Sequence, residues 1–315
     1  MLFTAVHHHC IDIVLATYNG EKYIEEQIKS VQRNDGYQFL VNSIIVVDDG
    51  SSDNTVSIVK RLAINDSKIR IYVNESSSLG AMKNFAHGAY LSQANFIMFC
   101  DQDDVWLENK ISITLDSMIK HDATLPHLVF SDLKIVDASL NVISDSYFTA
   151  KKIPKNWHAD MNNLVKQNVV SGCTMMANRA LLQKALPIPN EACMHDWWFA
   201  LVAKTEGKLT FVDQALMLYR QHETNAIGTG DKNPLGLFKR IYRFRKNASN
   251  SVKQAGALSA RYPYLASQYP SVAALSQQAT RSRLRNTYAA LFGELRRSSF
   301  QGSAAMALYC LFFSG

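Results

Sequence analysis

Apolar and polar positions alternate in blocks along the N-terminal third of the chain. Residues 11–17 (IDIVLAT) are a mostly apolar run stopped by Tyr18-Asn19-Gly20, the pattern of a strand meeting a turn. From Glu21 to Val31, Tyr23, Ile24, Ile28 and Val31 recur at helical spacing. Residues 43–47 (SIIVV) predict a second strand, apolar and largely β-branched, as expected where both faces of a parallel sheet are covered. The polar DDGSSDNT follows, and Ser52, Asp53 and Asn54 can cap a helix over 55–64. IRIYV (69–73) predicts a third strand and residues 80–92 a helix. FIMFC (96–100) predicts a fourth strand that runs straight into Asp101-Gln102-Asp103-Asp104. This alternation predicts an α/β fold with a right-handed, doubly wound, mostly parallel central sheet and flanking helices. Ligands of such sheets bind at the carboxyl ends of the strands. Those ends carry Thr-Tyr-Asn, Asp-Asp-Gly-Ser and Asp-Gln-Asp-Asp.

Beyond residue 128 the pattern loosens. LVFSDLKIVD predicts a further strand, residues 144–168 a loop with short helices, and VVSGCTMMANRALL a strand feeding a helix. LTFVDQALMLYRQH reads as paired short strands ending in a polar cluster. After Gly230 the chain becomes helical, basic and aromatic. Two regions are therefore expected, 1–230 for catalysis and 231–315 as a helical appendage.

The composition, 47% apolar and 19% charged, is that of a folded globular chain. No apolar run is long enough to span a bilayer, and the first ten residues lack the basic and small-residue features of a secretory signal. A cytoplasmic location is expected. Cys10, Cys100, Cys173, Cys193 and Cys310 are scattered without a CxxC, which favours free thiols in a reducing compartment. The formal charge of +6 hides an asymmetry. Residues 231–315 hold 13 Lys and Arg against Asp231 and Glu294, a net +11, so residues 1–230 carry −5. Such a tail suits an anionic membrane surface or a phosphorylated lipid. Nucleic acid is not expected, because no recognised binding fold accompanies the charge.

The acidic clusters are the candidate chemistry. Two carboxylates just beyond a buried strand can hold Mg²⁺ or Mn²⁺, with a diphosphate completing the coordination shell. The competing reading is structural: Asp101 to Asp104 would cap a helix beginning near Trp106, and Asp48-Asp49-Gly50-Ser51 would be a turn with a cap. The chain has no GxGxxG after its first strand, no GxxxxGK[ST] and no GxSxG, which disfavours dinucleotide, P-loop and serine-hydrolase chemistry. A nucleotidyltransferase also uses paired aspartates, but ATYNGEKY is not a Gly-rich phosphate loop. His7-His8-His9 reads as a solvated segment. Cys173 reads as a small residue between Gly172 and Thr174, not as a reactive thiol.

ATYNG (16–20), VVDDGSSDNT (46–55) and FCDQDDVWLENK (99–110), in this order and spacing, resemble the family 2 glycosyltransferases of the GT-A fold. VSGCTMMANRALL (170–182), HDWWFALVA (195–203) and LYRQHETNAIG (218–228) resemble a bacterial rhamnosyltransferase-like subgroup. The resemblance covers residues 11–228. It implies that Thr17, Tyr18, Asn19, Asp48 and Asp49 hold the nucleotide, with Asp101 towards the ribose or metal and Asp103 on the metal. It implies that His222 is a third metal ligand and that Asp196 is the base of an inverting transfer. Many relatives carry a second acid where this chain has His195. Asp196 could instead cap a helix, and Trp197 and Trp198 could form a sugar-stacking wall or core. Arg220 is open between the donor diphosphate and an ion pair.

In LFKRIYRFRK (237–246) a helix would gather Leu237, Ile241 and Phe244 on one side, with Lys239, Arg243 and Lys246 elsewhere. Two readings of the tail stay open: a helix lying on an anionic membrane, or an appendage packing on this chain or on a second copy in a homo-oligomer. The expected activity is metal-dependent, inverting transfer of a sugar from a dTDP- or UDP-linked donor, first dTDP-L-rhamnose, then a UDP-hexose. The expected acceptor is a lipid-linked glycan at the inner face of the cytoplasmic membrane, in O-antigen or capsule assembly. A non-catalytic module that keeps this fold to bind a membrane or partner is the competitor from another class.

Overall fold

Ile11, Ile13, Val14 and Leu15 are completely buried, as in a strand covered on both faces. In the computed structural model, which describes residues 10–74, 79–221 and 234–313, with side chains from Asn247 on in the last segment, they lie on β1 (Ile11–Thr17) in a nine-stranded sheet. The other strands are β2 (Val41–Asp48), β3 (Ile69–Val73), β4 (Phe96–Cys100), β5 (Val105–Trp106), β6 (His127–Val136), β7 (Val142–Ser144), β8 (Met175–Asn178) and β9 (Lys208–Arg220). Their order is β3-β2-β1-β4-β8-β6-β9-β5, with β7 beside β6.

The first four strands are parallel, and the helices Ile24–Gln32, Thr55–Asn65 and Ala81–Leu91 connect them. From β4 the sheet becomes mixed: β4–β8, β8–β6 and β9–β5 are antiparallel, and β6–β9 is parallel. The expected paired short strands over 209–222 are instead the single thirteen-residue β9. Register shifts against β6 between Ser131 and Lys134 interrupt its alternation, so one strand reads as two. The helix expected near Trp106 begins only at Lys110, because Val105 and Trp106 first pair with Leu218 and Met217.

One polar residue stands inside β1. Asp12 is buried, and its carboxylate accepts from Asn42 Nδ2 (2.9 Å), Ser43 Oγ (2.7 Å), Ser92 Oγ (2.7 Å) and the Ala94 amide (3.3 Å). Burial alone would raise its pKa, yet the bonds from Ser92, Ser43 and Asn42 hold it below the ordinary value. It ties the starts of β1, β2 and β4 together at the end of the sheet away from the strand-end loops.

The chain forms two compact units rather than splitting once near residue 230. The first contains the sheet and comprises the chain through Tyr147, Val170–Pro187 and Val202–Gln221. The second gathers Phe148–Val169 and Ile188–Leu201 with the C-terminal helices Pro234–Arg261, Pro270–Ser276, Arg283–Phe292 and Phe300–Phe313. No helix among the described residues is long and apolar enough to cross a membrane. His7-His8-His9 lies outside the described residues, as do the side chains of the 237–246 segment.

Candidate active site

β1 and β4 are neighbours in register, Leu15 opposite Cys100, so the loops that follow them meet. Gln102 joins the two loops. Its Oε1 accepts from Thr17 Oγ1 (2.6 Å) and the Tyr18 amide (2.8 Å), and its Nε2 donates to the Tyr18 carbonyl (3.1 Å). A side chain at Gly20 would collide with Gln102, since an added Cβ would lie 2.3 Å from Oε1. Asn19 takes a positive φ of 49° and accepts from the Ser52 amide at 2.8 Å, which joins this turn to the loop after β2. Tyr18 is left half exposed with its ring free to pack on a planar ligand.

The two aspartates after β2 play different parts. Asp48 is fully buried, and its oxygens accept from the Gly50 and Ser51 amides and from Ser51 Oγ (3.1, 2.8 and 2.5 Å). The Asp48 carboxylate thereby builds the turn that presents Asp49 and Ser51. Asp49 accepts from the Leu79 amide at 2.7 Å and the Gly80 amide at 2.9 Å, which fixes the start of the helix Ala81–Leu91.

At the end of β4, ligand atoms of Asp101, Asp104 and Cys173 all lie within 4.8 Å of one another. Asp103, the expected partner of Asp101, is not in this group. The reason is β9. The Arg220 amide donates to Asp104 Oδ1 at 3.1 Å and draws that side chain inward, where Oδ2 is buried with no hydrogen-bond partner among the described residues. Burial, reinforced by Asp101 and Asp103, pushes the Asp104 pKa well up. Burial also pushes up the Cys173 thiol, so it stays protonated. The donor set fits a hard divalent cation: two carboxylates, one with an unsatisfied buried oxygen, and a thiol that is no thiolate ligand. Because β5 follows Asp104 directly, the residues 101–104 do not cap a helix.

Behind this cluster Lys110 is completely buried. Its Nζ donates to the Cys173 carbonyl at 2.6 Å and lies 4.5 Å from the centre of the Trp106 ring, and burial lowers its pKa to about 8. Arg220 is almost as buried. Its guanidinium donates to the carbonyls of Asp103 (2.9 Å) and Ala138 (2.8 Å), pairs with Glu26 at 2.5 Å and stacks on Tyr23. The expected contact with a diphosphate is corrected accordingly, because these donors are committed to the protein. His222 lies outside the described residues.

Asp196 belongs to the second unit. It is the second residue of the helix His195–Glu206, inside the first turn and not at the N-cap position, so the capping reading does not hold. Its Oδ1 accepts from Asn168 Nδ2 at 3.1 Å and from the Trp197 amide at 2.5 Å. Burial holds the preceding His195 neutral, with its pKa lowered to about 3. Trp197 and Trp198 are both buried, and Trp197 Nε1 donates to the Leu164 carbonyl at 2.7 Å. They are core, and the sugar-stacking wall is corrected.

The sequence model of glycosyl transferase family 2 matches residues 12–184, the segment that carries every strand of the sheet except β9, together with the Gln102 lock and the acidic cluster. The chain belongs to this family. The dTDP-rhamnosyl transferase RfbG of Shigella flexneri is 30% identical over 68% of this chain and 73% of its own length. The UDP-Glc:alpha-D-GlcNAc-diphosphoundecaprenol beta-1,3-glucosyltransferase WfgD of Escherichia coli is 29% identical over 55% of this chain and 62% of its own length. Among solved structures, Staphylococcus aureus TarS 1–349 in complex with UDP-GlcNAc superposes with a TM-score of 0.55 at 17% identity, covering 95% of this chain and 89% of TarS 1–349. The mannosyltransferase PcManGT of Pyrobaculum calidifontis, in complex with GDP-Man and Mn²⁺, gives 0.55 at 17%, covering 97% and 86%. The GT-A fold expected from the resemblance is the one observed.

In this family 2 glycosyltransferase, sequence reasoning missed Gln102, Asp104, Lys110, Glu26 and Asn168. Gln102 and Asp104 stand inside the acidic motif, at positions to which the Asp-x-Asp pattern gives no role. Lys110 carried a signal too, as a cation on the apolar face of a helix. Glu26 and Asn168 carried none, since their partners are distant in sequence.

Proposed function

We propose that this glycosyltransferase moves L-rhamnose from dTDP-L-rhamnose, with inversion, to a glycan carried on a lipid diphosphate, in the assembly of a surface polysaccharide. The observation that carries the reading is the Asp101–Asp104 pair with its unsatisfied buried oxygen, set in the loop that Gln102 ties to Tyr18. Support for the donor comes from the Shigella relative, which is named a dTDP-rhamnosyl transferase. Support for the acceptor comes from the E. coli relative, named for a diphosphoundecaprenol-linked sugar. That relative's UDP-glucose makes a UDP-hexose the second donor to test.

Tyr18 packs on the base, and Thr17, Asn19 and Asp49 shape the ribose and base side of the site. Asp101 and Asp104 would hold the cation, Mn²⁺ or Mg²⁺, with Asp103 and His222 as the further ligands the family resemblance implies. When bound, the cation neutralises the charge that develops on the diphosphate. Asp196, oriented by Asn168, takes the proton of the acceptor hydroxyl as its oxygen bonds to the anomeric carbon. The bond from that carbon to the diphosphate oxygen breaks, and the nucleoside diphosphate leaves on the opposite face.

A peripheral place on the inner membrane face has support in the second unit. There the helix Arg283–Phe292 exposes Leu284, Tyr288 and Phe292 on one stripe (75%, 66% and 72%), beside the exposed Arg285. Isothermal titration with dTDP, UDP and GDP, with and without Mn²⁺, tests the nucleotide reading. Metal-dependent dTDP binding that Asp104→Ala abolishes is the expected result. A folded protein that binds no nucleotide would be a non-catalytic module instead.

A further inference from the structure

The second unit contains a group of buried hydrogen-bond donors. Lys166 is 6% exposed. Its Nζ lies 5.8 Å from the centre of the Trp157 ring. Arg297 Nε is buried and has no hydrogen-bond partner among the described residues, and the same holds for Nε2 of Gln254, a residue only 1% exposed.

These groups are linked. Arg297 Nη2 reaches Ser251 Oγ at 3.4 Å, one helical turn before Gln254. Gln254 Oε1 accepts from the Cys193 amide at 2.8 Å, which leaves only its NH₂ end unsatisfied. Next to Lys166, Gln167 Oε1 accepts from Ser298 Oγ at 3.0 Å, and Ser298 adjoins Arg297. Burial lowers the Lys166 pKa to about 8; Asp160 opposes the shift and Arg297 adds to it, so the two cations feel each other. The neighbouring acids are engaged elsewhere. Glu294 pairs with Arg281 at 2.6 Å, and Asp160 accepts from the Asn162 amide at 2.9 Å.

Two buried donors, Arg297 Nε and Gln254 Nε2, are open among the described residues, and the Lys166 ammonium adds a second cation. A ligand that satisfies all of them must offer several acceptor oxygens and negative charge, the description of a phosphoryl group and not of a sugar hydroxyl. The site also adjoins Asp196: Asn168, two residues after Lys166, donates to Asp196 Oδ1 at 3.1 Å, and Cys193, whose amide donates to Gln254, lies three residues before Asp196.

We propose that Lys166, Arg297 and Gln254 form an anion subsite for a phosphoryl group on the acceptor substrate, placed beside Asp196. This deepens the proposed function and rests on Asp196 serving the acceptor. Seating the acceptor's phosphate would orient its hydroxyl at the base and would reject neutral glycans that lack a phosphate.

The test is isothermal titration of the full chain in EDTA with inorganic pyrophosphate and, separately, with farnesyl diphosphate in micelles. Wild-type protein is expected to bind both. Lys166→Gln and Gln254→Leu should each weaken binding by about tenfold or more, and Lys166→Arg should restore it. Farnesyl diphosphate binding more tightly than pyrophosphate identifies a lipid-carried source, and equal affinity a free phosphate. The subsite is overturned if wild type binds neither probe, or if a folded Lys166→Gln protein binds them as wild type does. Titration of the same variants with dTDP and Mn²⁺ keeps the two readings apart. Pyrophosphate binding without any nucleotide binding would sink the glycosyl-transfer reading and leave the subsite standing.

Discussion

Arg220 Nε, at the end of β9, donates to the carbonyl oxygen of Asp103 at 2.9 Å. One buried guanidinium thereby sets the path of the acidic loop while the amide of the same residue holds Asp104. Arg220→Met keeps the amide and the stem but removes the guanidinium, leaving two carbonyls without their donor. The cost is expected to be about 1–3 kcal/mol, the usual figure for unsatisfied buried groups, because Glu26 itself is half exposed. Urea unfolding measures that loss. Mn²⁺-dependent dTDP affinity should fall in the same variant by about tenfold or more. Unchanged affinity would mean that the loop keeps its shape without Arg220.

Asp104→Asn separates stability from ligand binding. The carboxylate is buried, crowded by Asp101 and Asp103, and has one unsatisfied oxygen. A neutral side chain of the same shape relieves that burden, so the variant should unfold in EDTA at the same temperature as wild type or higher. Mn²⁺ affinity, followed by the electron paramagnetic resonance of the free ion, should drop by about a hundredfold. If the variant binds Mn²⁺ like wild type, Asp104 is no ligand.

These two residues mark where the sequence stopped being legible. The parallel half of the sheet could be read because each strand is a short apolar block ended by a polar turn, a local signal. The Asp101–Asp104 segment could be placed at a strand end for the same reason. Which carboxylate turns inward could not, because β9, more than a hundred residues away in sequence, decides it through its pairing with β5 and β6. The partners of Arg220, Glu26 and two carbonyls, share no sequence pattern with it. Two adjacent tryptophans suit a core and a ligand wall alike in sequence, with core the favoured reading for at least one, and both are buried in the second unit.

His127 makes the fold sensitive to acid. Its Nε2 lies 2.9 Å from Thr210 Oγ1, and burial, with His121 and Lys208 adding to it, lowers its pKa to about 4. Since the folded pKa lies below the ordinary 6.5, the folded state refuses a proton that the unfolded chain accepts. Stability from this residue is complete above about pH 6.5 and is lost as the pH falls towards 4, by up to about 3 kcal/mol. His127→Gln should flatten the decline of melting temperature between pH 7 and 5. An identical decline in both proteins would assign the acid sensitivity elsewhere, the neutral His195 being next.

The exposed stripe Leu284, Tyr288 and Phe292 decides between a membrane and a second copy. Full-length protein should co-sediment with vesicles containing anionic lipid and be released by salt, since each cation near the surface adds roughly 1 kcal/mol. Tyr288→Ser combined with Phe292→Ser should reduce the bound fraction by about tenfold while the melting temperature holds, both side chains being exposed. If vesicles leave the protein in solution and the same double variant turns a dimer into a monomer by light scattering, the stripe joins two copies.

Asp196→Asn is the sharpest test of the base. Asparagine keeps an oxygen for Asn168 Nδ2 and the Trp197 amide, so the first turn of the helix should survive and the melting temperature with it. What it removes is the capacity to take a proton. A general base is worth about 10²–10⁴ in rate, so the turnover number for transfer should fall by that much while dTDP binding is retained. Asp196→Glu, which keeps the proton acceptor but moves it, should recover part of the loss. Hydrolysis of the donor by water supplies the control. If Asp196→Asn slows transfer to a glycan and the slower hydrolysis in equal proportion, the residue serves the donor's departure and not the acceptor's proton. If only transfer falls, the base reading stands.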